Sequence, residues 1–165
     1  MEFLAEEDFT HVELHPVMEF LEDGSDGYPT SAYFAVSTRY GTPAEFAALV
    51  DELHQVGIGV ILDWSPAQFP RYAGGLEKFD GTPLYERQNP AEAIHPFWGT
   101  LLYNYGSPMV KDFLISNACF WAEVYHADGL RMDDVDAMLY LDYGKNDGQW
   151  LANKYGGNQN LEAIE

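Results

Sequence analysis

Acidic side chains end two strand-like runs of the sequence, and one of these runs also carries an arginine. Asp63 lies at the end of GVILDW, and Asp133 ends GLRMD. Side chains alternate between the two faces of a strand, so Arg131 and Asp133 are predicted to share one face. Leu130 and Met132 then take the other face. A neighbouring arginine favours the ionised carboxylate, and an ionised, oriented carboxylate can act as the nucleophile in glycosidic bond cleavage.

The same residues also have a plain structural interpretation. A pair formed by Arg131 and Asp133 would close the end of a strand, and Asp63 would cap the turn that follows its own strand. Spacing alone favours this interpretation at both places. Many aromatic residues follow the strands, and aromatic faces at a cleft can hold the apolar faces of sugars, although packing of loops explains most of them equally well.

Three predicted strands are separated by two long irregular segments and two helices. Residues 10–17 alternate apolar and polar side chains, which predicts a first strand. The continuous apolar run at 58–64 predicts a second strand that is buried on both faces, and 128–133 predicts a third. Residues 18–41 and 65–106 have no strong period and are predicted as long loops, with short helical turns allowed in the second.

The first helix carries clear signals at both of its ends. Thr42 is suited to cap the helix, Pro43 to occupy its first position and Glu45 to complete a capping box. Gly57 is predicted to end the helix. The side chains expected to form its buried stripe are Phe46, Leu49, Val50, Leu53 and Val56.

The second helix repeats these signals, with Ser107 as its cap, Pro108 in its first turn and an end near His126. The order is therefore strand, loop, helix, strand, loop, helix, strand, which predicts an α/β fold of βαβ units with parallel strands. Both loops then lie at the carboxyl edge of the sheet, where such folds place their active sites. The expected buried stripe of this helix is Val110, Phe113, Leu114, Trp121 and Val124.

The composition narrows the class of function. Eight basic and 27 acidic side chains give a net charge of −19, which disfavours nucleic acids and anionic membranes as partners. No secretion signal or membrane-length apolar run is evident, so a cytoplasmic protein is expected. No phosphate-binding loop, dinucleotide fingerprint or zinc spacing appears, so no cofactor and no metal are expected. The single cysteine, Cys119, lies among apolar residues and is expected to be buried and inert.

In combination, these motifs resemble the bacterial glycogen (1,4-α-glucan) branching enzymes of the α-amylase superfamily. The resemblance implies a TIM-type (β/α)8 barrel, of which residues 1–165 would be a fragment truncated at both ends, with about strands 2 to 4 and their long βα loops. It implies an α-1,4-glucan such as glycogen or amylose as substrate, and the remaining barrel segments as a partner. The likeness runs through THVELHPV, RYGTP, GIGVILDWSPAQFP, FDGTPLYE, LLYNYGSPMV, DGLRMDDVDAMLYLDY and NKYGGNQNLEAIE.

The resemblance also assigns roles to individual residues. Asp133 matches the nucleophile that forms a covalent glucosyl-enzyme intermediate, and Arg131 matches the arginine that orients it. Asp63 matches the acid after the third strand, which has a structural and substrate-contacting role. Tyr28, in DGYP, matches the tyrosine that stacks on the sugar at the cleavage point. Gln68 replaces the sugar-contacting histidine of the family motif D-W-x-P-x-H, and its amide can still hydrogen-bond to a hydroxyl.

Several positions depart from the family pattern. Pro29 ends DGYP where the family has W-G-Y-Q, and Asp134 and Asp136 replace small residues. Extra carboxylates beside the nucleophile would oppose its ionisation. The acid/base glutamate after the fifth strand and the histidine–aspartate pair after the seventh have no counterpart here, which predicts that the chain alone is inactive. The alternatives are a non-catalytic glucan-binding module and a relic without function.

Overall fold

The computed structural model describes residues 2–165, and they form two compact units. The first unit comprises the residues up to Trp64 together with Ile115–Met132, and the second comprises Ser65–Leu114 and Asp133–Glu165. Within the described residues the elements are, in chain order, α1 (Glu2–Glu6), β1 (His11–Leu14), β2 (Met18–Phe20), β3 (Thr30–Val36), a 3-10 turn (Thr38–Tyr40), α2 (Pro43–Gln55), β4 (Gly59–Trp64), β5 (Gln68–Phe69), α3 (Pro90–Ala93), β6 (Leu101–Leu102), α4 (Pro108–Val124), β7 (Gly129–Met132), α5 (Val135–Leu139) and α6 (Leu161–Ile164).

A three-stranded parallel sheet forms the first unit, in the order β1, β4, β7. The parallel βαβ pattern predicted from the sequence is thus confirmed. Val60 and Leu62, which share one face of the central strand β4, are completely buried. The three strands have the predicted centres but are shorter than predicted, and β1 ends at Leu14, two residues before Pro16.

Helix α2 has the predicted cap but a narrower buried stripe. Thr42 Oγ1 accepts from the Glu45 backbone N–H at 3.2 Å, and Glu45 Oε2 accepts from the Thr42 backbone N–H at 2.7 Å, which completes the capping box. The prediction was wrong for Leu49 and Val56, which are 39% and 41% exposed. They lie on the flank of the stripe, whose buried members are Phe46, Val50 and Leu53.

Helix α4 also differs from the predicted stripe. Val124 is 54% exposed, because Tyr125, four residues after Trp121, is the buried residue that continues the stripe. Cys119 is exposed, so the expectation of a buried thiol was wrong. It lies two residues from Asn117 and two from Trp121, and this spacing places it on the opposite side of the helix. The buried side chains along and just beyond α4 are Val110, Leu114, Asn117, Trp121 and Tyr125.

Residues 18–41 are not simply a loop, because β2 and β3 pair there as an antiparallel hairpin. The register shifts on both sides of Glu19, and the buried positions of β3 fall at Thr30, Tyr33 and Val36, three residues apart. A bulge therefore removes the two-residue alternation by which a strand is recognised in a sequence. This is the physical reason why the hairpin was missed.

Asn117 of α4 links the hairpin to the central strand. Its Nδ2 donates to the Tyr33 carbonyl at 2.5 Å, and its Oδ1 accepts from Trp64 Nε1 at 2.8 Å. Trp121 Nε1 donates to the same Tyr33 carbonyl at 3.0 Å. Because Asn117 is fully buried, these bonds satisfy polar groups that would otherwise be costly, and they fix the end of β4 beside Asp63.

The second unit is built from very short elements. Strands β5 and β6 pair with each other, and α3, α5 and α6 have four or five residues each. Elements this short show no helical or strand period, which explains why residues 65–106 were predicted as a loop. An aromatic cluster packs around Tyr85, with Phe69 at 6.5 Å, Phe79 at 5.9 Å and Phe113 at 5.2 Å between ring centroids. Across residues 2–165, no helix is long and apolar enough to cross a membrane.

Asp128 precedes β7 and binds the amino-terminal end of β4, which gives a pH-dependent stability. The Val60 backbone N–H donates to Asp128 Oδ2 at 2.7 Å, and this bond lowers the pKa of the carboxyl. Burial raises the same pKa, whereas His54, with Nε2 2.8 Å from Oδ2, lowers it further. A carboxyl whose pKa is lowered by folding stabilises the protein at pH values above its ordinary pKa of about 3.9. This stabilisation is lost as the pH falls through the pKa of the folded state.

Asp128→Asn is therefore expected to lower the free energy of unfolding at neutral pH by about 1 kcal/mol, since the carboxylate is partly exposed. The difference from the unsubstituted chain should vanish in acid. Urea denaturation between about pH 3 and pH 7 measures both effects. Asp112→Asn, at an exposed position of α4, is the control. The same pH dependence in both variants would contradict the prediction.

Candidate active site

In the first unit, three of the predicted site residues form one hydrogen-bonded group, the Asp63 cluster, comprising Tyr28, Asp63 and Arg131. Arg131 Nη1 donates to Asp63 Oδ2 at 2.9 Å and to Tyr28 Oη at 3.3 Å. The Tyr28 hydroxyl also donates to Asp63 Oδ2. Glu13 Oε1 of β1 lies 3.5 Å from Arg131 Nε. The register explains the cluster, because Asp63 of β4 lies directly opposite Arg131 of β7.

Burial and neighbouring charges shift the pKa values of Tyr28 and Arg131 in the Asp63 cluster. The pKa of Tyr28 is raised to about 12, mainly by burial. The hydrogen bond to Asp63 and the charge of Asp63 also raise this pKa, whereas Arg131 lowers it. The charge of Asp63 raises the pKa of Arg131. The phenol is therefore protonated at neutral pH and acts as a hydrogen-bond donor. Asp63 is 1% exposed, with Oδ2 bound by both partners and Oδ1 buried without a hydrogen-bond partner among the described residues. This geometry makes Asp63 an anchor for Tyr28 and Arg131.

A tight turn presents Tyr28 to this anchor. Gly27 has φ of 93°, and a Cβ there would lie 3.0 Å from the Pro16 carbonyl oxygen. Only glycine adopts this backbone conformation readily and allows the close approach. The Tyr28 ring lies 5.8 Å from the His15 ring between centroids. The turn before β3 therefore fixes the ring near His15, just past β1, and its hydroxyl against Asp63 of β4.

In the second unit, Gln68, His95, Thr100 and Asp134 form another buried group, the Asp134 cluster. Gln68 Nε2 donates to Asp134 Oδ2 at 3.1 Å, and the Thr100 hydroxyl donates to Gln68 Oε1. His95 Nε2 lies 2.8 Å from the same Asp134 oxygen. Both polar atoms of the Gln68 amide thus have protein partners, and its predicted role in substrate binding stays a prediction.

His95 in this cluster has a defined tautomer. Its Nδ1 accepts from the backbone N–H groups of Phe97 and Trp98, at 3.2 Å each. A ring nitrogen that accepts carries no hydrogen, so the neutral ring carries its hydrogen on Nε2, the atom that faces Asp134. The His95 side chain is completely buried and that of Asp134 is 9% exposed. Gln68 and His95 therefore both lie against one nearly buried carboxylate oxygen, and the Gln68 amide donates to it.

Asp133 belongs to the second unit and lies just past the end of β7. The strand ends at Met132, and Asp134 has a left-handed backbone with φ of 58° and ψ of 36°. The alternation that predicted a shared face for Arg131 and Asp133 therefore does not extend to Asp133, and that pairing stays a prediction. Met132, predicted to take the face opposite to Arg131, is 48% exposed.

The three aspartates near the end of β7 influence a tyrosine of the same unit. Burial raises the pKa of Tyr143, and the charges of Asp134, Asp136 and Asp133 add to it, in that order. Asp136 is exposed and Asp133 is half-buried. Among the described residues, no group of three His, Cys, Asp or Glu side chains is placed to hold a metal ion.

Sequence analysis missed His95 and Thr100. Both lie in a segment without a period, and their contacts with Gln68 and Asp134 span about 30 to 40 residues of chain. The available signal was indirect: Gln68 and Asp134 are both departures from one family pattern, and two departures in contact can compensate each other.

Comparison with known proteins supports the fold and the resemblance. The model of the alpha amylase catalytic domain matches residues 1–67. A solved Salmonella typhimurium protein assigned as an alpha amylase superposes with a TM-score of 0.64 and 28% identity, over 88% of this chain and 23% of that one. The alpha-amylase of Geobacillus thermoleovorans, solved in complex with acarbose, superposes with a TM-score of 0.69 and 23% identity, over 80% of this chain and 32% of that one.

Curated relatives match over almost the whole chain. The 1,4-alpha-glucan branching enzyme of Gloeobacter violaceus is 57% identical over 94% of this chain, that of Methylococcus capsulatus 54% over 99%, and that of Thermobifida fusca 52% over 100%. In its parallel sheet and in these matches, the chain is similar to proteins of the α-amylase superfamily. Within that superfamily it resembles one part of the 1,4-α-glucan branching enzymes, and it spans 21 to 22% of the length of these three.

Proposed function

We propose that this chain is the part of a 1,4-α-glucan branching enzyme that carries the catalytic nucleophile. The observation that carries the proposal is the 52 to 57% identity, over nearly all of the chain, to relatives with that name. Such an enzyme cleaves an α-1,4 bond of a glucan and re-attaches the released chain through an α-1,6 bond, as a step of glycogen biosynthesis. The substrates would be glycogen or amylose.

The proposed reaction is a double displacement at the anomeric carbon. The Asp133 carboxylate attacks this carbon, the α-1,4 bond breaks, and the departing oxygen takes a proton from a glutamic acid. The 6-hydroxyl of an acceptor glucan then attacks the glucosyl-aspartate and gives its proton back to the glutamate, which frees Asp133. Two inversions retain the α configuration.

The Asp63 cluster supports this mechanism by holding two side chains in place. Arg131 precedes the proposed nucleophile by two residues, and its bond to the buried Asp63 limits its rotamers. Tyr28 is fixed through its hydroxyl, which leaves the face of its ring for a sugar. Asp63 would then influence the substrate indirectly, by positioning Tyr28 and Arg131. Gln68 would likewise act indirectly, by positioning Asp134.

The parallel sheet supports a partial (β/α)8 barrel in which β1, β4 and β7 are about the second to fourth strands. The family's acid/base glutamate and its histidine–aspartate pair have no counterpart among the 165 residues. We therefore propose that these residues branch no glucan alone and need the remaining barrel segments as a partner, in the cytoplasm. Loss of acid/base assistance typically costs a factor of about 10² to 10⁴.

A segment exchange tests the proposed function. These 165 residues replace the aligned segment of the Thermobifida fusca branching enzyme, which supplies the other catalytic groups. We expect the chimaera to branch amylose, measured by the fall in iodine absorbance and by chain lengths after debranching. The unexchanged enzyme and the 165-residue chain are the controls. A folded chimaera with no branching, or branching by the chain alone, would count against the proposal.

A non-catalytic glucan-binding module is the second candidate, because two neighbouring aromatic side chains are open to solvent. Phe97 is 63% exposed and Trp98 is 69% exposed. Titration of the chain with maltooligosaccharides should then change the tryptophan fluorescence, and Trp98→Ala should remove the change. An unchanged signal at millimolar ligand would exclude this candidate.

A further inference from the structure

Two positions that depart from the branching-enzyme pattern contact each other in the second unit. The resemblance places Gln68 where the family has a histidine and Asp134 where it has a small residue. In the structure, Gln68 Nε2 donates to Asp134 Oδ2 at 3.1 Å. Gln68 is 8% exposed and the Asp134 side chain is 9% exposed. An unpaired carboxylate with so little exposure would be costly, so the two residues stabilise each other.

The neighbouring residues fix the direction of each hydrogen bond. Thr100 donates to Gln68 Oε1, which turns the amide NH₂ toward Asp134. His95 accepts at Nδ1 from two backbone N–H groups, which places its hydrogen on Nε2, 2.8 Å from Asp134. The Gln68 amide therefore donates to an oxygen of Asp134 that also lies in close contact with the His95 ring.

The backbone of Asp134 is fixed as well. Its left-handed conformation is one that aspartate tolerates better than most residues, although it still costs free energy. Its carbonyl accepts from the Ala137 N–H at 3.1 Å and so begins α5. Side chain and main chain of Asp134 are thus both anchored immediately after Asp133. Anchoring one residue of a peptide unit restricts the ψ angle of the residue before it.

We propose that Asp134 is a positioning residue for Asp133, held by His95 and Gln68, and that Gln68 and Asp134 form a compensating pair. The proposal rests on the proposed function for the catalytic role of Asp133. Its structural part, the fixing of the Asp133 backbone, does not depend on that function. Catalysis is sensitive to such anchoring, since a misplacement of about 1 Å can cost about 10²-fold in rate.

The first measurement uses the 165-residue chain and needs no activity. Amide hydrogen exchange at Ala137 and Met138, whose N–H groups donate to the Asp134 carbonyl at 3.1 and 3.4 Å, is expected to be at least about ten-fold faster in Asp134→Ala than in the unsubstituted chain. Asp136→Ala is the matched control, because Asp136 is an exposed aspartate two residues further on. Asp134→Asn keeps an acceptor oxygen for the Gln68 amide and is expected to retain most of the protection. It replaces Asp134→Ala if that variant does not fold.

The second measurement uses the segment-exchanged enzyme. Asp134→Ala is expected to lower kcat about 10²-fold with KM within about two-fold, and Asp136→Ala to change neither. The double variant Gln68→His/Asp134→Ala restores the family residue at one position and a small residue at the other, and should recover at least about ten-fold of the lost kcat. Gln68→His alone should not raise kcat.

The outcomes separate the two proposals. Equal exchange and equal kcat in Asp134→Ala and Asp136→Ala would overturn the positioning role, as would faster exchange with an unchanged kcat. If the chimaera is inactive while exchange at Ala137 and Met138 still depends on Asp134, the proposed function fails and the anchoring of the backbone at Asp134 is supported.

Discussion

Branching by the segment-exchanged enzyme is expected to fall about 10⁴-fold or more when Asp133 is replaced by asparagine. Asparagine has nearly the same shape as aspartate, but its neutral amide cannot attack the anomeric carbon and cannot form the glucosyl ester. Binding of the glucan should change little, so the loss should appear in kcat. Iodine absorbance of amylose and the chain lengths after debranching measure this rate.

Asp136→Asn provides the control for this prediction. It makes the same chemical change three residues further along the chain, at an exposed position. We expect its kcat to stay within about two-fold of the parent, since the Asp136 side chain is exposed and solvent screens its charge. Comparable kcat values for the two variants would show that Asp133 is not the nucleophile. Mass spectrometry of a trapped glucosyl-peptide gives a second readout, with the added mass expected on Asp133.

Arg131→Met is expected to lower the free energy of unfolding by about 2 to 4 kcal/mol. The reason is the unpaired carboxylate that it leaves behind, because Asp63 is 1% exposed and Arg131 supplies its cationic partner at 2.9 Å. The value lies below that for fully buried pairs because the Arg131 side chain is 45% exposed. Urea denaturation followed by tryptophan fluorescence measures the change.

A double-mutant cycle separates this effect from lost packing. Asp63→Asn removes the charge that needs a partner, so Arg131→Met should cost about 1 kcal/mol or less in that background. Arg131→Lys keeps the charge and should fall between the parent and Arg131→Met. Strictly additive effects of the two substitutions would show that the pair does not interact.

The main elements were predictable because their signals are local. The capping box of α2 lies within four consecutive residues, and the apolar run of β4 needs no partner to be recognised. The order of these elements along the chain was sufficient to predict parallel strands. The hairpin β2–β3 was missed because its bulge removes the two-residue alternation.

The residue types of the candidate site could be predicted from the sequence, whereas only some of the contacts between these residues could. Alternation along one strand pointed Arg131 toward Asp133, whereas the parallel register places it opposite Asp63 on the next strand. Pairing between strands depends on register, which one sequence does not contain. For the same reason Asp134 looked like surplus charge, while the residues that it contacts, Gln68 and His95, lie far away along the chain.

The order β1, β4, β7 also has a consequence for the handling of the chain in solution. Within residues 2–165, β1 and β7 pair with β4 alone, so each presents one row of backbone N–H and C=O groups to a further strand. Such edges favour self-association of like molecules. The net charge of −19 opposes it, because two copies repel each other at long range. Salt screens that repulsion, so dilute buffers of low ionic strength are the conditions that keep copies of this chain apart.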